Sequence, residues 1–194
     1  MLSKQFLIKR KRCCGNGCLM CPYIPKHTKG SYKIMNRMGY ACINMQLSKQ
    51  KPRIYTGRSM IKRTFKDKGI KYASELGLQN TKDLFEIIKW NKENGFDFFR
   101  ITSNLFPWCS EYKLEDMPDH WEIAGILGEI GKYVDEHKMR ITSHPGPFNV
   151  LTSPHEHVVE NCINDLSIHG EVFDLMNLSR TPYNKINIHI GGAY

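Results

Sequence analysis

The sequence contains two alternating segments that decide its fold class, MRITSH at residues 139–144 and KINIHI at residues 185–190. The polar members of each segment fall on one face of an extended strand: Arg140, Thr142 and His144 in the first, and Lys185, Asn187 and His189 in the second. A strand with one polar and one apolar face suits a barrel that has a functional interior and helices outside. The two segments therefore favour a closed barrel.

The rest of the chain supplies further strands and the helices between them. The predicted strands lie at 38–44, 96–102, 139–144 and 185–190, and a basic loop is predicted at 45–69. A first helix is predicted at 71–94, ending at Gly95. A second helix should follow a capping box formed by Asp119 and Glu122, and a third should begin at Ser153 and Pro154. Alternating strands and helices imply an α/β fold with a parallel sheet, either doubly wound or closed as a TIM-type barrel. No glycine-rich phosphate motif follows the first strand, which weakens the dinucleotide-binding version.

Length and composition set the broad class. The chain has 194 residues, of which 41% are hydrophobic, so it can bury a core and is not disordered throughout. No apolar run approaches the roughly 18 residues that a membrane span needs. The first ten residues lack the order of a signal peptide, in which charges precede a long apolar stretch. We expect an intracellular, soluble protein with no membrane partner.

Charge is distributed very unevenly. Residues 1–71 hold 18 Lys and Arg but one acid, Asp67, for a net charge of +17, whereas residues 72–194 have a net charge of −8. A basic segment beside an acidic one favours a polyanionic partner, most simply nucleic acid. The alternative is a lysine-rich tail that is merely solvated.

The first 36 residues form a predicted basic, cysteine-rich module. Four of the seven cysteines lie close together there, at Cys13, Cys14, Cys18 and Cys21. Four thiolates with intervening glycines could hold one Zn ion or an iron–sulfur cluster. The spacing is not that of a standard zinc finger, and reduced surface thiols are the alternative.

Two histidines end predicted neighbouring strands. His144 is followed by Pro145-Gly146, and His189 by Ile190 and two glycines. In a parallel barrel the carboxyl ends of the strands hold the functional groups, and two converging imidazoles could bind a divalent metal. Either histidine alone is better explained as a hydrogen-bonded core residue. After the second strand, polar residues beside Phe106 and Trp108 suit a pocket for a flat base, or equally a loop with buried aromatics.

Several longer motifs, in order, resemble one family. These are Arg37-Met38-Gly39-Tyr40-Ala41-Cys42-Ile43-Asn44-Met45, Asn80 with Leu84, Trp90-Asn91-Lys92-Glu93-Asn94-Gly95, Phe99-Arg100-Ile101-Thr102-Ser103-Asn104-Leu105-Phe106-Pro107-Trp108, His144-Pro145-Gly146 and Ile188-His189-Ile190-Gly191-Gly192-Ala193-Tyr194. Residues 37–194 resemble the UV damage endonuclease family of DNA repair enzymes. The resemblance implies a metal-dependent TIM barrel, similar in fold to AP endonucleases and to sugar isomerases of the xylose isomerase type.

The resemblance also implies an activity and a metal site. The family nicks damaged double-stranded DNA immediately 5′ of a UV photoproduct, with divalent metal, usually Mn²⁺. His144 and His189 match its metal-binding histidines. Glu111 stands where a further metal-site histidine is often found, and a glutamate could fill that role through oxygen.

Four positions are implied to contact the lesion. Tyr40 and Asn44 match residues that contact the damaged site. Pro147 and Phe148 stand where the family has a glutamine and an aromatic residue that wedge into the duplex. Phe148 can still wedge, whereas Pro147 cannot donate a hydrogen bond from a side-chain amide.

The family continues for four more strands with further metal ligands, whereas this sequence covers the first four βα units. We therefore expect a fragment or truncated form of such an endonuclease, which a second chain could complete. The alternatives are a non-catalytic DNA- or metal-binding remnant, or another barrel enzyme such as an AP endonuclease or sugar isomerase. Short modules resembling residues 13–22 occur fused to other domains.

Overall fold

The computed structural model describes residues 38–189. Within them one parallel sheet contains four strands, which are β1 (Gly39–Ala41), β2 (Phe98–Ile101), β3 (Arg140–Ser143) and β4 (Lys185–Ile186). Each strand pairs with its neighbours in sequence, in the order β1-β2-β3-β4. A doubly wound sheet reverses its strand order at a switch point, and this sheet has no reversal. The α/β fold is therefore that of consecutive barrel units, as the sequence predicts.

Three helices cross between the strands, α1 (Lys62–Glu93), α2 (His120–Glu136) and α3 (Glu156–Leu175). The predicted helix at 71–94 lies within α1 and ends as expected before Gly95, whose φ of 79° favours glycine. The predicted loop at 45–69 is wrong at its end, because α1 begins at Lys62. Phe65 stacks on Trp108 there, with ring centroids 6.0 Å apart, and Gly69 breaks the helix with a φ of 64°.

One face of the sheet packs against the helices. Tyr40, Phe99 and Ile141 are in register across β1, β2 and β3. The Tyr40 hydroxyl donates to Asn91 in α1, which fixes the direction in which this row points. Ser143 lies two residues beyond Ile141 and so shares this face. The core is built here, from the sheet and the inward stripes of the helices.

The helices each bury one stripe of side chains. Leu84, Ile87, Ile88 and Asn91 of α1 are fully buried, as are Ile123, Leu127 and Ile130 of α2. Burial of each aliphatic side chain in such a stripe contributes roughly 1.5–3 kcal/mol. No helix between residues 38 and 189 has the length and apolar character to cross a bilayer.

The predicted capping box of α2 is wrong. Asp119 precedes the helix but makes no side-chain cap. Its Oδ2 instead accepts a hydrogen bond from the Ser74 hydroxyl of α1, at 2.7 Å, and Glu122 pairs with Lys82 at 2.7 Å. Both acids join α2 to α1, because helix packing offers partners that a local pattern does not show.

The start of α3 also differs from the prediction. The helix begins at Glu156 with His155 at the N-cap position, rather than with Ser153 as the cap. The Ser153 hydroxyl accepts from the His155 main-chain N–H at 3.2 Å, so it stabilises the turn before the helix. Pro154 therefore lies outside the first turn of the helix.

Candidate active site

The structure brings the two strand-end histidines together. The ring centroids of His144 and His189 are 4.4 Å apart, beyond the carboxyl ends of β3 and β4. The Nδ1 atom of His144 lies 2.5 Å from the main-chain oxygen of Asn187. Because a carbonyl oxygen only accepts, Nδ1 carries the hydrogen, which in the neutral imidazole leaves the lone pair on Nε2. Metal-ligating histidines have this arrangement, with one ring nitrogen held by an acceptor and the other free.

Polar groups continue along the same face of the sheet. Arg100, Thr142 and Lys185 are in register across β2, β3 and β4, opposite the helix-facing row. Arg100 Nε and Thr142 Oγ1 are buried and have no hydrogen-bond partner in the structure of residues 38–189. An unpaired buried polar atom costs about 1–3 kcal/mol, so this face is suited to receive further polar groups.

The β3–α3 loop, residues 144–155, begins with His144 and exposes an aromatic side chain four residues later. Phe148 is 87% exposed, and Pro147 beside it is exposed as well. On the side toward α3, Phe148 borders a cleft of about 300 Å³ whose other lining residues include Ser103, Asn104 and Asn161. An exposed phenyl ring on a short loop has the shape of an apolar wedge that can enter a base step.

A buried polar cluster lies beneath this loop. Asp165 of α3 accepts from the Cys109 thiol at 2.9 Å and from the Asn149 side-chain amide at 2.8 Å. His169, one turn further along α3, contacts the Ser143 hydroxyl through Nδ1 at 2.8 Å. Burial raises the pKa of the Cys109 thiol well above its usual range, and the Asp165 carboxylate adds to that rise. Burial lowers the pKa of His169, against the pull of Asp165.

Sequence reasoning missed this cluster, although a signal was present. Cys162, Asp165, His169 and Val172 lie at i, i+3, i+7 and i+10, which is one face of a helix. Three of the four are buried, and Asp165 is partly buried. An acid and a histidine within an otherwise apolar stripe indicate a buried polar network rather than a solvated face.

Tyr40 and Asn44 are engaged within the domain. The Tyr40 hydroxyl donates to Asn91 Oδ1 at 2.5 Å and accepts from Asn44 Nδ2 at 2.7 Å. Asn44 is 3% exposed, and its Oδ1 accepts the main-chain N–H of Leu47 at 2.9 Å. Burial raises the pKa of Tyr40. Both residues thus hold the segment after β1 against α1, and their contact with a lesion stays a prediction.

Glu111 does not join the histidine pair. It is exposed in a short 3-10 turn (Cys109–Glu111) and lines a cleft with Tyr112, Asn164 and Glu171. Across residues 38–189, no group of three His, Cys, Asp or Glu side chains is close enough to hold a metal ion. The described residues therefore supply two imidazoles to the candidate metal site, and the role of Glu111 as a ligand stays a prediction.

The aromatics after β2 pack inside the domain. Phe106 is 3% exposed, and the Trp108 indole N–H donates to the Met60 main-chain oxygen at 2.9 Å. Of the two alternatives for this stretch, the structure supports the loop with buried aromatics. The module at 1–36 and its cysteines, Cys13, Cys14, Cys18 and Cys21, lie outside the described residues, so Zn or iron–sulfur binding there stays a prediction.

The sheet order and the position of the histidines define a protein of the βα-barrel class, whose functional groups gather at the carboxyl ends of the strands. Within that class the chain belongs to the UV-endonuclease UvdE family, whose model matches residues 36–194. A second model, for a family of unknown function (DUF5522), matches residues 1–29. The first match begins at residue 36 and the second ends at residue 29.

Named relatives support the same family. The chain is 36% identical to the UV-damage endonuclease of Schizosaccharomyces pombe over 165 residues, which is 81% of this chain and 26% of that protein. It is 35% identical to the putative UV-damage endonuclease of Acanthamoeba polyphaga mimivirus, covering 81% of this chain and 48% of the relative.

A solved structure agrees with these relatives. The crystal structure of SacUVDE superimposes with a TM-score of 0.66 at 30% identity, over 80% of this chain and 50% of that one. The chain thus spans between 26% and 50% of the length of these three proteins.

Proposed function

We propose that this chain contributes to a DNA repair endonuclease that nicks DNA 5′ of UV photoproducts by metal-assisted hydrolysis. The observation that carries the proposal is the pairing of His144 and His189 at the carboxyl edge of the sheet, together with a loop that exposes Phe148 four residues after His144. Membership of the UvdE family and relatives named UV-damage endonucleases support DNA as the substrate. Neither fold alone nor a histidine pair alone would distinguish this activity from that of other barrel enzymes.

Recognition of damaged double-stranded DNA falls to the β3–α3 loop. Phe148 would enter the duplex at a lesion, where stacking is already weakened and unstacking costs least. Pro147 beside it limits the backbone freedom of the loop, because its ring fixes φ. Lys185 and Arg100 on the inner face of the sheet supply positive charge for a phosphate.

The donor atoms at the histidine pair fit a divalent cation. The Nε2 lone pair of His144 is free because Nδ1 is held by the Asn187 carbonyl, and His189 is exposed beside it. A cation such as Mn²⁺ held there would stabilise the negative charge that develops as a phosphodiester is hydrolysed. Asn187 orients the imidazole of His144, and the remaining ligands come from outside residues 38–189 or from a second chain that completes the barrel.

A second candidate is a form that recognises damaged DNA without cutting it. It is favoured by the finding that no three-ligand cluster exists within residues 38–189. Both candidates share the histidine pair and the loop, so they predict the same lesion binding and differ in incision.

Two measurements separate these candidates. We expect weak Mn²⁺ binding by calorimetry that is lost in His144→Ala and kept in His157→Ala, an exposed histidine of α3. We expect the chain alone to nick a duplex with one photoproduct far more slowly than about 1 per second, the low end for working enzymes.

Incision at about 1 per second or faster with Mn²⁺ would overturn the non-cutting form. Identical isotherms for wild type and His144→Ala would remove the metal site. Equal affinity for damaged and intact duplex would overturn both candidates.

A further inference from the structure

We infer that Asp165 is a positioning residue, which holds the β3–α3 loop in the conformation that exposes Phe148. The role of the loop in lesion recognition rests on the proposed function. Whether Asp165 holds the loop in its conformation can be tested independently of that function. Among the described residues, Asp165 forms no hydrogen bond or ion pair with His144, His189 or Phe148. Its action is through the neighbours that it binds.

Asp165 anchors the loop through one amide. Asn149, directly after Phe148, is 7% exposed, and its Nδ2 donates to Asp165 Oδ2 at 2.8 Å and to the Gly146 main-chain oxygen at 3.2 Å. The Asn149 main-chain N–H also donates to Gly146, at 3.2 Å. These bonds close a tight turn around Pro147 and Phe148. The turn pushes the phenyl ring outward while its base is held by a carboxylate on α3.

The second carboxylate oxygen is also engaged. Asp165 Oδ1 accepts from the Cys109 thiol, which belongs to the turn after β2. A cysteine, an aspartate and a histidine close together resemble a nucleophilic site, yet the thiol here is a hydrogen-bond donor. Burial and the carboxylate favour its protonated form, which is the unreactive one. The cluster is therefore structural in its chemistry, and it ties two loops to one helix.

The same acid also reaches the strand that carries His144. His169 Nε2 lies 3.7 Å from Asp165 Oδ2 and has no hydrogen-bond partner in the described structure. The Asp165 carboxylate favours the tautomer of His169 that carries its hydrogen on Nε2. In that tautomer Nδ1 has the lone pair and accepts the hydrogen bond from the Ser143 hydroxyl. Ser143 immediately precedes His144, and its main-chain oxygen accepts from Asn187 at 2.9 Å. Asp165 thus stabilises both the β3–α3 loop and the end of β3.

The direct test is hydrogen exchange of the full chain, with Asp165→Ala and Asn149→Ala as the variants. The protected amides of the loop are those of Asn149, Val150 and Ser153, which donate to main-chain oxygens at 3.0–3.2 Å. We expect exchange at these amides to rise about tenfold in either variant, as for loss of one charge-assisted hydrogen bond. Exchange within β2, and within β3 before Ser143, should be unchanged. The matched control is Glu160→Ala, which removes an exposed acid from the same helix.

The second readout is the ratio of affinities for damaged and intact duplex. We expect each variant to lower this ratio, and the double variant to lower it by less than the sum of the two single effects, because the bond between Asn149 and Asp165 is lost in both. Unchanged exchange in the loop, or an equal rise across β2 and β3, would overturn the positioning role. If Asp165→Ala does not fold, Asn149→Ala gives the same test.

Phe148→Ala distinguishes this inference from the proposed function. If that variant keeps the damage preference while Asp165→Ala still loosens the loop, the wedge role fails and the positioning role stands. If Phe148→Ala loses the preference and Asp165→Ala leaves loop exchange unchanged, the wedge role stands and the positioning role fails.

Discussion

Tyr40→Phe removes one oxygen atom and tests whether the Tyr40 hydroxyl holds the domain together. The ring contacts survive the change, because Phe96 and Phe99 pack edge-on against the Tyr40 ring with centroids 5.5 and 5.3 Å away. Only the hydroxyl bonds to Asn91 and Asn44 are lost. The variant therefore isolates the polar contribution from the hydrophobic one.

The expected loss is large because both partners are buried. Asn91 is 0% exposed and Asn44 is 3% exposed, so water cannot replace the hydroxyl without local opening. Asn91 Nδ2 already has no partner in the described structure, and the variant would leave Oδ1 without one as well. An unpaired buried group costs about 1–3 kcal/mol, so we expect Tyr40→Phe to lower the free energy of unfolding by about 2 kcal/mol in total, through its effects on Asn91 and Asn44. That corresponds to about 4–8 °C in Tm for a chain of this size.

Urea and thermal unfolding measure this difference. Tyr72→Phe is the matched control, since Tyr72 is also half-buried on α1 and its hydroxyl makes no hydrogen bond within the described residues. The control should change the free energy of unfolding by less than about 0.5 kcal/mol. A similarly small change in Tyr40→Phe would refute the structural role. Lesion binding, measured where both variants are folded, then tests the lesion contact separately.

Two further predictions concern titration and charge. Because the pKa of His169 is lowered by burial, the unfolded chain takes up a proton at higher pH than the folded one does, so stability should fall as pH drops below about 6.5. His169→Asn, which keeps a partner for Ser143, should flatten this dependence measured by urea unfolding, whereas His157→Asn on the same helix should not. Removing residues 1–30 should reduce the salt dependence of DNA binding, since cations in that basic segment would otherwise release counterions from the phosphates. An unchanged slope in an anisotropy series would show that the tail is only solvated.

The sequence pattern predicted the features that depend on alternation within one element. The polar face of β3 and β4 follows from a two-residue period, and this period places His144 and His189 at one edge of the sheet, as the structure shows. Gly95 ended α1 as expected, because a left-handed residue there favours glycine.

The features that sequence reasoning missed depend on partners far along the chain. Asp119 has the local signature of a cap, but Ser74 competes for its carboxylate from another helix. The hydrogen bond of the Tyr40 hydroxyl to Asn91, 51 residues away, has no local signature, while the contact of Tyr40 with a lesion stays a prediction. The helical spacing of Asp165 indicates that it lies on a buried face, but its partners come from two separate loops that this spacing does not identify. Such contacts depend on packing, which a local pattern does not encode.

The two faces of β3 have a consequence for how this chain tolerates change. Ile141 and Ser143 face helices that the same chain provides, whereas Thr142 and His144 lie on the opposite face, where the Thr142 hydroxyl has no partner among residues 38–189. A saturation scan along this strand should therefore separate two kinds of selection that alternate residue by residue. Selection for folding should act on one set, and selection for activity on the other. In a lineage that had lost DNA cleavage but still required a folded protein, substitutions would therefore accumulate at every second position of β3.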